Sequence, residues 1–193
     1  IRSLALVASV PLVPALGAKM PDTLRIALER RDITEAQALL RRWSGSGTLV
    51  GAACTGTFVL AGTSLLNGQT ATTSWWLAPF FRERYPHVLL DDSRMLVSSS
   101  RFVTAGAALA HLDLALWLVR RKSPALAALT ARYLVVEPRP SQAAFAIPDH
   151  LAHSDPLVER FERWARRQLA EGFSLSEAAR AVVTSERTLA RRL

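Results

Sequence analysis

The chain has 193 residues, of which 50% are hydrophobic, 21% are charged and one is a cysteine. This composition excludes a disordered protein, a collagen-like protein and a disulfide scaffold. The 24 Lys and Arg residues against 16 Asp and Glu residues give a formal net charge of +8, which permits an anionic partner without locating its site. A single cysteine is typical of a reducing compartment, so we expect a cytoplasmic protein.

The first residues imitate a secretory signal, since Arg2 precedes an apolar run from Leu4 that ends in small residues. Pro11 and Pro14 interrupt the apolar helix that such a signal requires, and no apolar run reaches the roughly 18 residues of a membrane span. We therefore predict a buried strand that leads into a loop, and no membrane partner. Because the chain starts at Ile1, we expect it to be a fragment of a longer protein.

Apolar runs alternate with stretches of helical spacing, which is typical of an α/β fold. The spacing predicts strands at residues 48–53, 88–90, 95–97 and 101–104. It predicts a turn at residues 44–47, and helices at residues 34–43, 58–66, 75–84, 107–121 and 123–133. The helix over residues 107–121 is apolar almost all round, so we expect it to pack against the sheet or a partner subunit. Asp113 within it indicates a buried polar partner, a subunit interface or a structural carboxylate with satisfied hydrogen bonds.

Prolines mark the predicted domain boundary. Three of the ten prolines fall between Pro138 and Pro148, where the alternation of strands and helices stops. The predicted organisation is an α/β domain over residues 1–135, a linker over residues 136–153 and an all-α domain over residues 154–193.

The C-terminal residues predict helices joined by short turns. Ser154-Asp155-Pro156 caps and begins a first helix, which ends at Gly172. Ser174-Leu175-Ser176-Glu177 has the spacing of a capping box and begins a second helix. Ser185 caps a third, over residues 186–193. Two short helices joined by a tight turn behind a longer supporting helix form a helix-turn-helix.

The last helix carries the candidate DNA contacts. Leu189 and Leu193 define its predicted buried face, and at about 100° per residue Arg187 and Arg191 fall on the opposite face. In a helix-turn-helix that face enters the major groove, where Arg can donate two bonds to guanine. Further side chains can reach phosphates or flanking bases: Ser185, Thr188 and Arg192. The alternative is an amphipathic helix whose arginines are only solvated.

The motifs resemble those of a known family. FSLSEAAR at residues 173–180 and TSERTLARRL at residues 184–193 resemble the first helix-turn-helix of an AraC-type DNA-binding domain. The upstream part resembles the PfpI-like sensor domain of GlxA-type transcriptional regulators. The segments that carry this second resemblance are ACTGTFVLA (53–61), ATT before two tryptophans (71–76), TAG (104–106) and LDL (112–114).

The resemblance implies a PfpI-like α/β sandwich with a largely parallel sheet, whose opening strands are missing, followed by a small all-α helix-turn-helix domain. It implies a sequence-specific transcription regulator that binds double-stranded operator DNA, forms a homodimer through its sensor domain and responds to a small-molecule effector. An AraC-type domain has two such units, so we expect this chain to stop within the first. Val183 stands where such turns often have Gly, so we expect a β-branched residue at a position that favours a positive φ.

Cys54 follows a predicted strand and precedes a predicted helix, where unpaired N–H groups favour a thiolate. Enzymes on the PfpI-like scaffold use such a Cys with a His, but Ser74 stands at the matching position here. Three roles stay open: the nucleophile of a hydratase-like or amidase-like enzyme, part of a ligand-binding or redox-sensing pocket, and a packed structural thiol. The residues that we expect to line a pocket are Cys54, Thr55, Thr73, Ser74 and Thr104.

Metal and cofactor sites have little support in the sequence. His150 and His153 lie three residues apart without further ligands at the spacing of a zinc site. No Gly-x-x-x-x-Gly-Lys loop occurs, so nucleotide hydrolysis has no motif. We therefore predict no metal, no cofactor and a non-catalytic PfpI-like domain.

Overall fold

The computed structural model describes residues 10–18, 20–45, 47–147, 155–168 and 172–193. The strands are β1 (Leu12–Val13), β2 (Val50–Ala53), β3 (Thr70–Ala71), β4 (Leu89–Leu90), β5 (Leu96–Ser99) and β6 (Phe102–Ala105). Within these ranges the main sheet has the order β1-β2-β6-β5, and a second pair joins β3 to β4. Only β5 runs antiparallel to its neighbour. Most of the strand predicted from Leu4 lies outside the described residues.

The helices of the α/β part are α1 (Pro21–Leu28), α2 (Arg31–Gly45), α3 (Gly56–Ala61), α4 (Ala78–Arg84), α5 (Ala110–Arg120) and α6 (Pro124–Tyr133). Short 3₁₀ helices cover Trp75–Leu77 and Ala143–Phe145. The C-terminal helices are α7 (Pro156–Gln168), α8 (Leu175–Ala181) and α9 (Glu186–Arg192). No helix in the described part of the chain is long and apolar enough to cross a membrane.

Helices cover both faces of the main sheet. All residues of β2 and β6 are buried, as expected for central strands of a parallel sheet. Val50 and Ala52 pack in one cluster with residues of α1 to α4, including Phe58, whereas Ala53 packs with Leu114 of α5 in another. The two clusters arise because successive side chains of a strand point to opposite faces. The predicted α/β sandwich with a largely parallel sheet is confirmed.

Several predicted helix boundaries differ from the structure. Helix α2 extends to Gly45, into the predicted turn, and α3 ends at Ala61, earlier than the predicted residue 66. After α3 the chain forms turns whose carbonyls accept side-chain hydrogen bonds. Arg41 of α2 donates to the carbonyls of Gly62 and Thr63, both at 3.3 Å. These bonds from a neighbouring helix replace the bonds that a longer α3 would make within itself.

The first part of the predicted linker is bonded to the α/β part. The N–H of Gln142 donates to the carbonyl of Ser93 at 2.8 Å, and that of Met95 donates to the carbonyl of Pro140 at 3.2 Å. Ser141 also forms a bridge with Arg94. Residues 148–154 lie outside the described residues, so the domain boundary stays a prediction.

Candidate functional site

Helices α7, α8 and α9 form the predicted helix-turn-helix around a small apolar core. Its buried residues are Ala178, Ala179, Val182 and Leu189, with Leu157, Phe161 and Trp164 packed against them. Phe173, between α7 and α8, extends this packing with its ring 4.9 Å from that of Trp164. Local packing therefore holds α9 against the other two helices.

The predicted caps of α8 and α9 are present, whereas Ser154 lies outside the described residues. The Ser174 hydroxyl accepts a bond from Glu177 N–H at 3.2 Å, and the Glu177 carboxylate accepts one from Ser174 N–H at 2.7 Å. The N–H and the hydroxyl of Ser174 both donate to this carboxylate at 2.7 Å, and these two bonds lower the pKa of Glu177. At α9 the Ser185 hydroxyl accepts a bond from Thr188 N–H at 3.1 Å. The sequence therefore fixes the start of each short helix.

The turn between α8 and α9 uses a left-handed residue without glycine. Val183 has φ 57° and an exposed fraction of 91%. The prediction of a positive φ at this position is confirmed. Because a β-branched side chain is strained in this region, the surrounding turn has to hold it there.

Arg187 and Arg191 lie on the exposed side of α9. Leu189 is fully buried, and both arginines are exposed without an ion pair to any residue that the structure describes. Leu193 was predicted to share the buried face, and this prediction is wrong because its exposed fraction is 58%. It lies one turn beyond the core, where α7 and α8 do not cover it.

The other predicted DNA contacts have partners within the domain. Arg192 pairs with Asp155 at the start of α7, at 2.8 Å. Burial alone would raise the pKa of Asp155, but the bond from Leu157 N–H and the Arg192 charge outweigh it, so the pKa is lowered. The Ser185 hydroxyl donates to that of Thr188 at 2.8 Å. These three side chains also stabilise the domain.

Cys54 lies at the junction of β2 and α3 in a left-handed conformation, with φ 54°. Its N–H donates to the carbonyl of Ala105 at 2.7 Å, which continues the pairing of β2 with β6. Its Sγ lies 2.9 Å from the hydroxyl oxygen of Ser74, and the residue is buried. The thiol therefore has a hydroxyl neighbour at the position where the resemblance leads one to look for a histidine.

The structure brings the predicted pocket residues together. The Thr73 hydroxyl donates to the carbonyl of Cys54, the Thr55 hydroxyl accepts from Leu16 N–H, and the Thr104 hydroxyl accepts from Thr72 N–H, all at 2.8 Å. We call Cys54, Thr55, Thr73, Ser74 and Thr104 the Cys54 cluster. All of its members are buried, and its threonines join separate loops to the ends of β2 and β6.

Gln142 is a residue of this region that the sequence reasoning missed. Its side chain is fully buried, and its amide nitrogen donates to the carbonyl of Thr73 at 2.8 Å and to that of Arg94 at 3.2 Å. Gly106 leaves the room for this amide, because a Cβ there would clash with it and lie 2.7 Å from the Thr73 carbonyl oxygen. The predicted linker thus contacts the backbone of the Cys54 cluster.

The remaining polar candidates have other partners. Asp113 pairs with Arg139 at 2.5 Å, and both side chains are partly buried, so the carboxylate has a polar partner within the α/β part. The His111 ring accepts a bond from Ala15 N–H at 3.3 Å. Among the described residues no group of His, Cys, Asp and Glu side chains has the arrangement of a metal site. His150 and His153 lie outside those residues.

Comparison with known proteins identifies regulators among the relatives of the chain. The chain is 25% identical over 170 residues to the HTH-type transcriptional regulator GbdR of Pseudomonas aeruginosa, covering 86% of this chain and 46% of GbdR. It is 32% identical over 83 residues to the HTH-type transcriptional regulator GlxA of Rhizobium meliloti, covering 43% of this chain and 25% of GlxA. The chain thus spans less than half the length of these curated relatives. No family model matches it.

Solved structures show the fold. A transcriptional regulator protein from Vibrio parahaemolyticus has a TM-score of 0.54 at 19% identity, covering 65% of this chain and 63% of that one. Drosophila melanogaster DJ-1beta has a TM-score of 0.53 at 21% identity, covering 70% of each chain. By sequence the chain is a relative of HTH-type transcriptional regulators, GlxA among them, and the α/β part has the fold of DJ-1beta.

Proposed function

We propose that the chain is part of a cytoplasmic, sequence-specific DNA-binding transcription regulator, in which the α/β part senses a small-molecule effector and α9 contacts operator DNA. The observation that carries this proposal is the exposed pair Arg187 and Arg191, opposite the buried Leu189 on the last helix of a helix-turn-helix. Such a helix lies in the major groove, and Arg is the side chain that most often reads guanine there.

The α9 side chains have different roles in this proposal. Arg187 and Arg191 contact base edges, whereas Ser185 and Thr188 lie at the helix start and reach the sugar-phosphate backbone. Arg192 contacts a phosphate, which then replaces the Asp155 carboxylate that neutralises its guanidinium in the structure. Contacts to phosphates orient the helix but carry no direct sequence information.

Replacing Arg187 by Ala is expected to weaken binding to preferred duplexes by about 1–3 kcal/mol and to relax the preference at one base pair. Arg192→Ala is expected to weaken binding to duplexes of all sequences about equally. The measurement is selection from random-sequence duplexes, followed by affinities at several salt concentrations. Arg101→Ala is the control, because it removes the same charge from an exposed site at the β5–β6 turn of the α/β part.

Two results would contradict this assignment. If Arg187→Ala lowers affinity without changing the preferred sequence, the arginine contacts phosphate and not a base. If neither the chain nor a version extended through a second helix-turn-helix binds any duplex at low salt, the DNA-binding proposal fails.

We further propose that the α/β part is non-catalytic. Support comes from Ser74, because a hydroxyl next to the Cys54 thiol does not accept a proton as an imidazole would. One observation favours the rival proposal of a Cys54-dependent enzyme: the φ of 54° at a strand-to-helix junction is the kind of strain found at functional sites. The two proposals differ in how reactive the thiol is.

Alkylation of Cys54 by iodoacetamide is expected to be much slower in the native chain than in the urea-unfolded chain, because only 7% of the residue is exposed. Mass spectrometry of the single cysteine measures both rates at neutral pH. The Cys54→Ser variant controls for labelling at other side chains. Native alkylation faster than that of the unfolded chain would favour the enzyme.

We also propose a homodimer through the α/β part. Helix α6 supports this, because Leu126, Leu129 and Tyr133 are exposed at helical spacing on one side. Leu129→Glu is expected to convert the dimer to a monomer, measured by light scattering, since a charge buried at an apolar interface is unfavourable. Ala128→Glu, exposed on another side of α6, is the control and should stay dimeric. A wild-type chain that is monomeric at micromolar concentration would contradict the proposal.

A further inference from the structure

A cavity of about 250 Å³ opens between α5, α6 and residues 136–140. It is separate from the Cys54 cluster, none of whose members lines it. Its walls include Asp113 and Trp117 of α5 and Ala131 of α6. Residues 136–140, in the predicted linker, form the remaining side together with Arg94 and Leu96.

The residues that line the cavity carry a net positive charge. Arg94, Arg120 and Arg139 line it, and Arg139 is matched by its ion pair with Asp113. The guanidinium groups of Arg94 and Arg120 make no ion pair with any of the residues that the structure places, and both are exposed. Glu137 contributes one negative charge. Two cations against one anion leave one positive charge, which favours a ligand with a single negative charge.

The other walls of the cavity are apolar. Leu96, Leu116 and Trp117 line it together with prolines of the linker. Trp117 is held in place by Arg121, whose guanidinium carbon lies 5.0 Å from the centre of its ring. Apolar walls with a few polar groups are typical of small-molecule sites.

We propose that this cavity binds a small organic anion, a carboxylate on a flat apolar body. The carboxylate accepts hydrogen bonds from Arg94 and Arg120. A guanidinium group suits a carboxylate because it can donate two parallel hydrogen bonds to the two carboxylate oxygens. The apolar body lies against Trp117 and the linker prolines. Because the linker forms one side of the cavity, an occupant contacts both the α/β core and the segment that leads to α7. A role for this ligand as the effector rests on the proposed function, whereas binding itself does not.

Benzoate is the probe, and benzamide is its neutral counterpart of nearly the same shape. Calorimetric titration of the full chain is expected to show binding of benzoate to one site and weaker binding of benzamide by at least about tenfold. Arg120→Gln should lower benzoate affinity by a similar factor. Arg101→Gln removes the same charge outside the cavity and should leave the affinity unchanged. Trp117, labelled with ¹⁵N at the indole and assigned with Trp117→Phe, should shift on titration.

Absence of benzoate binding would overturn the proposal, and so would equal binding of benzamide. If Arg120→Gln and Arg101→Gln lower the benzoate affinity equally, or if the indole signal of Trp117 does not shift, benzoate binds elsewhere on the chain. Either result would also overturn the proposal. Benzoate binding in this cavity, with no DNA binding by the chain or by a version extended through a second helix-turn-helix, would leave this proposal standing and overturn only the proposed function.

Discussion

Leu189→Ala is expected to unfold the helix-turn-helix and to abolish DNA binding while the α/β part stays folded. Leu189 is the largest fully buried side chain in a core that otherwise has Ala178, Ala179 and Val182 as its buried members. Removing a buried Leu side chain costs about 2–5 kcal/mol of stability. A small core of this kind rarely supplies more than about 3–5 kcal/mol in total, so little stability would remain.

Hydrogen exchange followed by mass spectrometry separates the two parts of the molecule. Amides of α7, α8 and α9 should lose protection in Leu189→Ala, whereas those of β2 and β6 should keep it. Leu193→Ala is the matched control, because it makes the same change in the following turn at a residue with an exposed fraction of 58%. Its effect should stay within about 0.5 kcal/mol. Full protection of α9 in Leu189→Ala would contradict the importance of this core.

The helix-turn-helix was predictable because its signals are local. The cap at Ser185 and the capping box at Ser174 each depend on residues a few positions away, whereas the positive φ of Val183 was expected from the resemblance. Leu193 shows the limit of such reasoning. Periodicity predicts which side chains share a face, but burial also requires a neighbouring element that covers that face.

The sequence predicted which residues form the Cys54 cluster, but not the hydrogen bonds that Gln142 makes to it. The strand ends that carry Cys54 and Thr104 are neighbours in a parallel sheet, so their meeting follows from the predicted fold. Gln142 lies 69 residues from Thr73, whose carbonyl it binds, and no local pattern relates the two. The pairing of Asp113 with Arg139 is likewise long-range. Both contacts are made by residues of the predicted linker, Gln142 and Arg139.

Gly106→Ala is expected to destabilise the α/β part by about 2–5 kcal/mol, from overpacking and from loss of buried hydrogen bonds. The new Cβ would clash with the Gln142 amide and lie 2.7 Å from the carbonyl oxygen of Thr73. To relieve this clash, the Gln142 amide has to move away. The carbonyls of Thr73 and Arg94 then lose a buried hydrogen-bond donor. Urea unfolding measures the loss of stability. Gly45→Ala is the control, since a Cβ at Gly45 meets no atom within 4 Å.

A double-mutant cycle tests whether Gly106 acts through Gln142. Gln142→Ala removes the amide that the new Cβ would meet, so Gly106→Ala should cost less stability in that background than in the wild type. The clash with the Thr73 carbonyl remains, so Gly106→Ala should still lower the stability of the Gln142→Ala variant. If the Gln142 side chain attaches the linker to the α/β part, the backbone amides of residues 139–147 should also lose protection from hydrogen exchange in both single variants. Strict additivity would show that the cost of Gly106→Ala comes from the clash with the Thr73 carbonyl and not from the Gln142 amide.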